Sequence, residues 1–453
     1  MSISAASSPD RALPVIIIGA GFSGTLLAIN LVRLGQPVIL VERNSAHLAK
    51  GLAFGTARPE HLLNVRARNM SAFPGDPQHF LRWMGFTPPD QIHRFLPRLA
   101  YGHYLRSLLI DAMAKSGQLL RVQQGEAADI IGQRDEQVVL LDNGERLHGR
   151  AVVLAQGNLT PRIPEALVGL APGLVFANPW DPAALEGLDP DAAVLLLGSG
   201  LTAVDVALSL DRQGHKGPIH VLSRRGLRPR SHDEAIVPVR QVACPQQSGS
   251  ALVASVRRRA GEVGWRNAVD ELRPHTRAIW RSHSVAEQAR LIRHLRPWWD
   301  VHRHRLAPAV DARITSMEIS GRLQFLAGRL LGATPADRGF EAGWKPRGRD
   351  ATRQLHVDRA IICTGPEGDI AQSSEGLLRR LVERGMARSD PHRLGLDVDP
   401  VFRIRDAAGV AHKTIFAVGP VSRGADWETV AVPDIRNQVH DLARYLATAV
   451  FGE

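Results

Sequence analysis

Cysteine is scarce in this sequence of 453 residues, which contains only Cys244 and Cys363. Two thiols exclude a disulfide scaffold and a four-thiolate zinc site, and also an iron–sulfur cluster held by this chain's own cysteines alone. Because the two cysteines are far apart in sequence, no redox dithiol of the C-x-x-C type is present. Scarce cysteine is typical of a reducing compartment, so we expect a cytoplasmic protein.

Long apolar runs are absent as well. No stretch approaches the roughly 20 residues that a membrane-spanning helix requires, and residues 1–14 are too polar for a signal peptide. We therefore expect no membrane partner. Hydrophobic residues make up 44% and charged residues 22% of the chain, which excludes a disordered composition. At roughly 150 residues per domain, the length indicates a globular protein with more than one domain.

An excess of basic residues gives the chain a formal net charge of +11. Such a charge is compatible with nucleic acid, a membrane surface or a small anionic ligand. The basic residues are mostly arginines scattered along the chain, and no known nucleic-acid-binding module is present. We expect no nucleic-acid partner. A redox-sensing or RNA-associated binding protein without turnover stays open as an alternative.

The first strong motif is a complete G-x-G-x-x-G. A β-branched run, Val15–Ile18, precedes Gly19, Gly21 and Gly24, and an apolar helical stretch follows them. The glycines allow a tight turn, close approach of a pyrophosphate to the backbone, and close packing of helix and strand. The acid Glu42 ends the next strand, where a carboxylate can accept hydrogen bonds from a ribose diol. The pattern predicts a dinucleotide site, and the alternative is a glycine turn without a ligand.

A second motif of the same kind lies further along the chain. Gly198, Gly200 and Ala203 give G-x-G-x-x-A between a strand and a helix. The following strand ends in Arg224 and Arg225 instead of an acid. Two guanidinium groups at that position suit a 2′-phosphate, which favours NADPH, with NADH as the weaker alternative. The other interpretation is that these arginines only solvate a strand end.

The order of the two units resembles that of the two-dinucleotide-binding flavoproteins, in which an FAD unit comes first, an NAD(P)H unit is inserted, and the chain then returns to the FAD unit. The strand ends Ala155–Gly157 and Cys363–Gly365 are similar to ATG-like motifs of that superfamily, and Ile415–Gly419 is similar to its closing strand. This chain lacks the dithiol of the disulfide reductases, and Pro420 stands where they usually carry an aspartate. Both departures favour the flavin monooxygenase branch, which includes N-hydroxylating enzymes.

The resemblance implies an α/β fold with two Rossmann-like dinucleotide-binding domains and a helical insertion. The FAD-binding domain occupies residues 1–185 and returns at 351–453. The NAD(P)H-binding domain occupies 186–350 and contains the insertion at about 250–310. We also expect a hairpin with an Asn143–Gly144 turn and a glycine- and arginine-rich loop over residues 332–349.

A closer resemblance covers nearly the whole chain. It is carried by the blocks Gly51–Asn64, Leu222–Gly226, Arg296–Arg305 and Arg423–Asp434. These are similar to bacterial FAD/NAD(P)-binding proteins, a group that includes a flavin-dependent urate hydroxylase and lies near the amino-acid N-hydroxylases. The resemblance implies an oxidoreductase that consumes NADPH and O2 and hydroxylates a small polar nitrogen-containing substrate through a C4a-hydroperoxyflavin.

The resemblance leaves the substrate and the reaction open. A urate-like purine is the first expectation for the substrate, and amine or amino-acid N-hydroxylation is the second. The alternative reaction is that of an NAD(P)H:acceptor flavin oxidoreductase without oxygen insertion. A homo-oligomer is compatible with the sequence.

The motifs and the resemblance together assign the cofactor sites by residue. The expected FAD-binding residues are Gly19, Gly21, Phe22, Ser23, Gly24, Glu42, Arg43, Gly157, Gly419 and Asp434. The expected NADPH-binding residues are Gly198, Gly200, Thr202, Arg224 and Arg225.

Candidate catalytic and substrate residues come next. Asn64, His302 and His304 are the catalytic candidates, and Arg66, Trp427 and Thr429 are the candidates for substrate binding. Asn64 could instead belong to an ordinary ordered loop, the histidines could pack under tryptophans, and Arg66 could be a solvated arginine. No cysteine or carboxylate completes a ligand set around the histidines, so we expect no metal.

Overall fold

Three β-sheets organise the chain in the computed structural model, which describes residues 13–86, 91–132, 136–234 and 240–450. The strands are β1 (Val15–Ile18), β2 (Val38–Glu42), β3 (Leu120–Gln124), β4 (Ala127–Gly132), β5 (Gln137–Leu141), β6 (Arg146–Gly149), β7 (Ala151–Leu154), β8 (Val175–Phe176), β9 (Val194–Leu197), β10 (Ile219–Ser223), β11 (Leu323–Pro335), β12 (Phe340–Pro346), β13 (Arg353–Val357), β14 (Arg359–Ile362), β15 (Arg403–Arg405) and β16 (Ala411–Ala417).

Helices cover these sheets and form a separate block in the second half. They are α1 (Phe22–Arg33), α2 (Gly51–Gly55), α3 (His79–Trp83), α4 (Arg98–Lys115), α5 (Leu201–Arg212), α6 (Gly249–Val263), α7 (Trp265–Leu272), α8 (Thr276–Ser282), α9 (Val285–Arg290), α10 (Arg296–Arg303), α11 (Pro308–Ile319), α12 (Gly376–Glu383) and α13 (Val432–Tyr445). None of the helices described is long and apolar enough to cross a membrane.

The first sheet has the strand order β15-β16-β7-β1-β2-β3. Its central strands are parallel, and β1 pairs with β2 on one side and β7 on the other. Every residue of β1 and β7 is buried, which explains why both read as continuous apolar runs. The strand β16 comes from the far end of the chain and pairs in parallel with β7.

A three-stranded antiparallel sheet, β4-β5-β6, lies beside the first sheet. The expected hairpin joins β5 to β6, and Gly144 takes the left-handed conformation of its turn with φ +85°. Residues of β5 and β6 alternate between buried and more exposed positions, as the period of two in their sequences indicates.

The second sheet has the order β13-β12-β11-β10-β9-β14-β8. Two expectations need correction here. Residues 332–349 form much of the antiparallel pair β11–β12 and are not a loop, because β11 continues well beyond the part that pairs with β10. The domain boundary at 351 is too early, because β14 pairs in parallel with β9, with Ala360 opposite Leu195. The return to the first unit therefore comes after Cys363.

One further departure concerns the edge of the second unit. The strand β8 precedes the expected start at 186, yet it pairs with β14 in this sheet. The strand β13 ends at Val357 and β14 begins at Arg359, and between them Asp358 Oδ2 accepts a hydrogen bond from the Ala193 amide at 2.7 Å. This bond turns the chain from the antiparallel strand β13 into the parallel strand β14.

The helical insertion consists of α6 to α10, with a π-helical turn at Leu291–Leu295. It packs against residues 423–434, which we call the closing segment and which lead into α13. The Trp280 Nε1–H donates to the Gly424 carbonyl at 3.0 Å, and the Trp299 Nε1–H donates to Glu428 Oε1 at 2.7 Å. The indole groups thus hold the closing segment in place.

Candidate functional site

A cavity of about 640 Å³ lies between the two nucleotide-binding units. From the first unit it is lined by the ends of β1, β2 and β7 and by α2. From the second unit it is lined by the start of α5 and the end of β14, and the start of α13 closes another side. In parallel sheets, ligands bind in such crevices outside the carboxyl ends of the strands. The cavity is therefore the candidate site.

The first glycine corner, Gly19–Gly24, forms one wall of the cavity. Gly19 has φ +102°, and a Cβ added there would lie 2.6 Å from the Ala155 carbonyl oxygen. A Cβ on Gly24 would lie 1.9 Å from the Gly19 carbonyl oxygen. Gly21 precedes α1 and provides no side-chain cap for the helix. The helix N-terminus consequently presents backbone amides, which favour a bound phosphate.

Other residues expected at the FAD site also line this wall. Phe22 and Ser23 lie in the first turn of α1 and line the cavity. Glu42 lines it too, and its carboxylate accepts hydrogen bonds from the Ala20 amide at 2.9 Å and the Asn44 amide at 3.0 Å. Arg43 lines it and donates to Glu375 at 2.8 Å.

The second glycine corner, Gly198–Ala203, reaches the cavity from the other unit through Leu201 and Thr202, whereas Gly198 and Gly200 lie outside the lining. Gly198 has φ +104°, and a Cβ there would lie 2.3 Å from the Cys363 carbonyl oxygen. Gly200 precedes α5 without a side-chain cap, and Thr202 in the first turn lines the cavity. The two glycine corners thus repeat the same turn from strand to helix, one on each side of one cavity.

The two arginines expected to hold a 2′-phosphate lie at the end of β10, outside the cavity lining. Arg224 is exposed. The Arg225 guanidinium lies over the Trp298 ring, 5.8 Å from its centroid. This places one cation in water and the other against an aromatic ring of the insertion.

The end of β7 shows that the cavity suits a cofactor with hydrogen-bond donors. Gln156 lines the cavity, and its Oε1 is buried without a hydrogen-bond partner among the residues described. A buried carbonyl oxygen without a donor is costly, so a ligand group is expected to supply one. Gly157 lies next to it with φ +73° and also lines the cavity.

Two of the catalytic candidates line the cavity and one does not. Asn64 lines it, and its backbone carbonyl accepts from His232 Nε2 at 2.9 Å. His304 lines it, and burial lowers the pKa of this imidazole to about 4, so it is neutral near pH 7. His302 lies outside, where its Nδ1 donates to the Trp298 carbonyl at 2.7 Å and its ring packs on Trp265.

Asp434 is placed differently from the expectation that it binds FAD. Its carboxylate lies outside the cavity lining, 3.2 Å from Arg273 Nη2 and 3.8 Å from Arg303 Nη2. Burial raises the pKa of this carboxyl group. The start of α13 does reach the cavity, but through Val430–Val432 and Ile435. The carboxylate points towards the insertion because the positive charges of Arg273 and Arg303 attract it there.

Gly419 packs against the first glycine corner on the side away from the cavity. A Cβ on Gly419 would lie 2.3 Å from Ser23 Oγ, and its amide donates to Gln438 Oε1 at 2.7 Å. The next residue, Pro420, is the one that lines the cavity. Gly419 therefore shapes the site through close packing.

The three candidates for substrate binding lie away from the cavity lining. Arg66 donates to the His93 and Asp233 carbonyls at 2.9 and 2.5 Å. Trp427 packs near the rings of Trp280 and Trp299. Thr429 is buried, and its amide donates to the Asp426 carbonyl at 2.9 Å. In the structure these three residues contact other parts of the protein, and their role in substrate binding stays a prediction.

Sequence reasoning missed an ion pair that lines the cavity. Arg98 at the start of α4 donates to both carboxylate oxygens of Asp205 on α5, at 2.5 and 3.1 Å. The pair joins the first unit to the second, and both residues line the cavity. Nothing in the local sequence pattern marks it, because the partners are 107 residues apart. No cluster of three or more metal-binding side chains occurs within the described ranges.

Comparisons with known proteins fit this geometry. A family model described as FAD-NAD(P)-binding matches residues 16–159, which include the first glycine corner. No curated protein matches the sequence. Among solved structures, ornithine hydroxylase from Pseudomonas aeruginosa is 17% identical with a TM-score of 0.65, and L-lysine 6-monooxygenase from Pseudomonas syringae is 16% identical with a TM-score of 0.67. Each alignment covers 97% of this chain and 100% of the other.

The chain has the two-dinucleotide-binding flavoprotein fold. Thioredoxin reductase from Lactococcus lactis shares this flavoprotein fold at 13% identity and a TM-score of 0.54, over 97% of this chain and 100% of that one. Residues 16–159 of the flavoprotein fold are the FAD-NAD(P)-binding part. The expected α/β class with Rossmann-like units is confirmed.

Proposed function

We propose that this protein is an FAD-dependent, NADPH-consuming monooxygenase that hydroxylates a nitrogen atom of a small polar substrate. The observation that carries the proposal is one cavity reached by both glycine corners, Gly19–Gly24 and Gly198–Ala203. A flavin held at the first corner and a nicotinamide held at the second would meet there. Ornithine hydroxylase and lysine monooxygenase, which share the fold, support oxygen transfer to an amine.

The cysteines argue against a disulfide reductase, which is the other activity named among the similar structures. Cys363 is buried at the cavity, and burial raises the pKa of its thiol well above the usual range. Cys244 is the second cysteine, and the two are not bonded to each other. A dithiol reaction needs two neighbouring thiols with an accessible thiolate. This site offers a single thiol that stays protonated.

The residues that line the cavity would hold FAD by backbone groups. The free amides at the start of α1 would bind the pyrophosphate, and the Gln156 carbonyl would accept from a donor of the flavin. The start of α13, at Val430–Val432, would place its positive dipole end beside the ring. A bound flavin would accept hydride from NADPH and react with O2.

His304 is the residue that we propose for orienting the substrate amine. It lines the cavity as a neutral imidazole, and its Nε2 lies 4.0 Å from Asp300 Oδ1. With its pKa lowered to about 4 it is too weak a base to deprotonate an ammonium group, but its unprotonated ring nitrogen can accept a hydrogen bond from the amine. Asn64 lines the same cavity and would orient the substrate through its amide.

The preference for NADPH is proposed from Arg224 and Arg225. The double variant Arg224→Ala and Arg225→Ala should raise the KM for NADPH about tenfold or more and leave that for NADH nearly unchanged. Steady-state NADPH and NADH oxidation measures both values. An equal change for the two nucleotides would contradict a 2′-phosphate site.

The substrate class is tested by oxygen consumption. We expect NADPH oxidation and O2 uptake to be stimulated by an amine or amino acid such as L-ornithine or L-lysine, with little free peroxide. Urate belongs in the same screen, because the blocks Gly51–Asn64 and Arg423–Asp434 resemble proteins that include a urate hydroxylase. Reduction of a quinone without oxygen insertion into any substrate would support the acceptor oxidoreductase instead.

A further inference from the structure

Arg423 in the closing segment is a buried cation with few partners. Its side chain is 8% exposed, and its Nε donates to the Leu394 carbonyl at 2.9 Å. Among the residues described, no ion pair and no other side-chain hydrogen bond involves this guanidinium. A buried guanidinium without a counterion is costly, and the other buried arginines of this chain show the contrast. Arg305 is 3% exposed and donates to both oxygens of Asp270.

Three carboxylates near Arg423 are engaged elsewhere, and one of them, Asp300, lies 3.4 Å from Arg296 Nε. Asp390 accepts from the backbone amides of His392, Leu394 and Gly395. Glu367 accepts from the amides of Gly368 and Asp369 at 2.8 Å. The largest charge effect on the pKa of Arg423 comes from another cation, Arg296, and burial lowers this pKa to about 10. None of the three carboxylates forms an ion pair with Arg423.

Arg423 lines a recess of about 10 Å³ beside the main cavity. The other walls of this Arg423 recess include Glu367, Val421 and Leu394, and it shares Gly157 and Pro420 with the main cavity. A volume of this size holds about one water-sized group. It excludes a whole substrate but admits the tip of one whose body occupies the main cavity.

We infer that Arg423 binds the anionic group of the substrate, a carboxylate or another small delocalised anion, at the Arg423 recess. The inference rests on the proposed monooxygenase function, and it narrows the substrate class to amines that carry an anion. The guanidinium N–H groups are charged donors, and a recess of this size admits one oxygen of the anion to them. The rest of the anionic group and the amine would stay in the main cavity.

The test uses FAD-saturated protein, acetate as the anionic probe and acetamide as its neutral analogue, at constant ionic strength and without NADPH. Acetate, and not acetamide, should raise the Tm by about 2 °C in a concentration-dependent manner. Arg423→Met should abolish the shift, and Arg423→Lys should keep part of it. An equal shift with both probes, or an unchanged acetate response of Arg423→Met, would overturn the inference.

Stability gives a second readout that needs no ligand. Because Arg423 has no counterion in the part of the chain that the structure describes, Arg423→Met should leave the Tm unchanged or raise it. Arg305→Met is the matched control, and it should lower the Tm by about 3 °C or more, since it leaves Asp270 without its partner. A comparable fall in both variants would show that Arg423 is a structural residue.

The FAD content of Arg423→Met separates two sources of the anion. Retained FAD agrees with an anion supplied by the substrate, whereas loss of FAD would assign the group to the cofactor and overturn the inference. An acetate response in a protein that transfers no oxygen would refute the proposed function but leave the anion site. Oxygen transfer without any acetate response would support the proposed function and refute the anion site at Arg423.

Discussion

The glycines of the first corner differ in how much space surrounds an added Cβ atom. A Cβ on Gly24 would strike the Gly19 carbonyl oxygen, whereas a Cβ on Gly21 would lie 3.4 Å from Gly51 Cα, an ordinary contact. Gly24→Ala should therefore lower the free energy of unfolding by about 3 kcal/mol. Gly21→Ala should fold normally but lose FAD, because the methyl group stands where the pyrophosphate approaches.

Urea unfolding of the ligand-free proteins and the visible absorbance of bound flavin measure the two effects. Gly261→Ala is a suitable control, because Gly261 is also helical, in α6, and such crowding is absent there: its Cβ would meet no atom of the described residues within 4 Å. If Gly21→Ala purified with a full complement of FAD, the pyrophosphate would lie elsewhere.

The imidazole of His304 predicts a dependence of stability on pH. Burial lowers its pKa in the folded protein from 6.5 to about 4. As the pH falls below 6.5, the unfolded chain binds the proton first, so stability is lost between pH 6.5 and 4. The free energy of unfolding should therefore fall by about 2 kcal/mol between pH 7 and pH 5 because of this residue. His304→Gln should lose less stability than the wild type over that range in urea titrations, and parallel curves would contradict the shift.

Whether the position of a site residue could be predicted from the sequence depends on how far along the chain its contacts lie. The spacing of the first glycine corner was enough to predict its turn, because Gly24 packs on the Gly19 carbonyl, whereas the contact of Gly19 with Ala155 depends on the fold. Asp434 was expected at the flavin from its position before a helix, but Arg273 binds it from 161 residues away. Arg423 was named only as part of a block, since its lack of a counterion is a property of the folded protein.

At the scale of elements, the insertion holds the closing segment through a buried ion pair. Arg303 on α10 and Glu428 are both buried, and Arg303 Nε lies 3.1 Å from Glu428 Oε2 in a geometry too poor for a hydrogen bond. The attraction is therefore chiefly between charges. Glu428 also accepts from Trp299 on the same helix, so α10 makes two contacts close to the start of α13.

Removing the charge of Glu428 should be costly, because Arg303 then stays buried with a weaker partner. Glu428→Gln should lower the free energy of unfolding by about 3 kcal/mol, while the glutamine keeps an acceptor for Trp299. The double variant Arg303→Met and Glu428→Gln should recover most of that loss. Urea unfolding compares the three proteins, and an equal loss in the single and double variants would show that the pairing contributes nothing.

Elements were easier to predict than their pairing partners. The alternation in β5 and β6 and the buried runs of β1 and β9 are encoded locally. The assignment of β14 to the second sheet was missed because parallel pairing with β9 joins residues far apart in sequence. The pair β11–β12 was taken for a loop because its glycines and arginines suit an exposed hairpin as well as a loop.

For the molecule as a whole, α5 connects the two nucleotide-binding units. Arg98 pairs with Asp205, and one turn further His61 Nε2 lies 2.9 Å from Ser209 Oγ. His61 and Arg98 belong to the first unit, and Asp205 and Ser209 to the second. These contacts set the position of one glycine corner relative to the other, and hence the distance that a hydride must cross.

Asp205→Asn should slow the reduction of flavin by NADPH about tenfold and leave FAD content unchanged, because it weakens the bidentate pair between the units. Stopped-flow absorbance measures the rate. Asp211→Asn is the matched control on the same helix, since Asp211 pairs with Arg313 and Arg322 inside the second unit. The same slowing in both variants would indicate a general loosening of α5.

The position of β16 has a consequence for biosynthesis. It lies between β15 and β7, so the first sheet stays incomplete until residues 411–417 have emerged from the ribosome. The second unit contains all its strands by residue 362 and can fold while the nascent chain is still attached. A message truncated before β16 would therefore yield a half that folds and a half left with an open apolar edge, and such edges attract chaperones and aggregation.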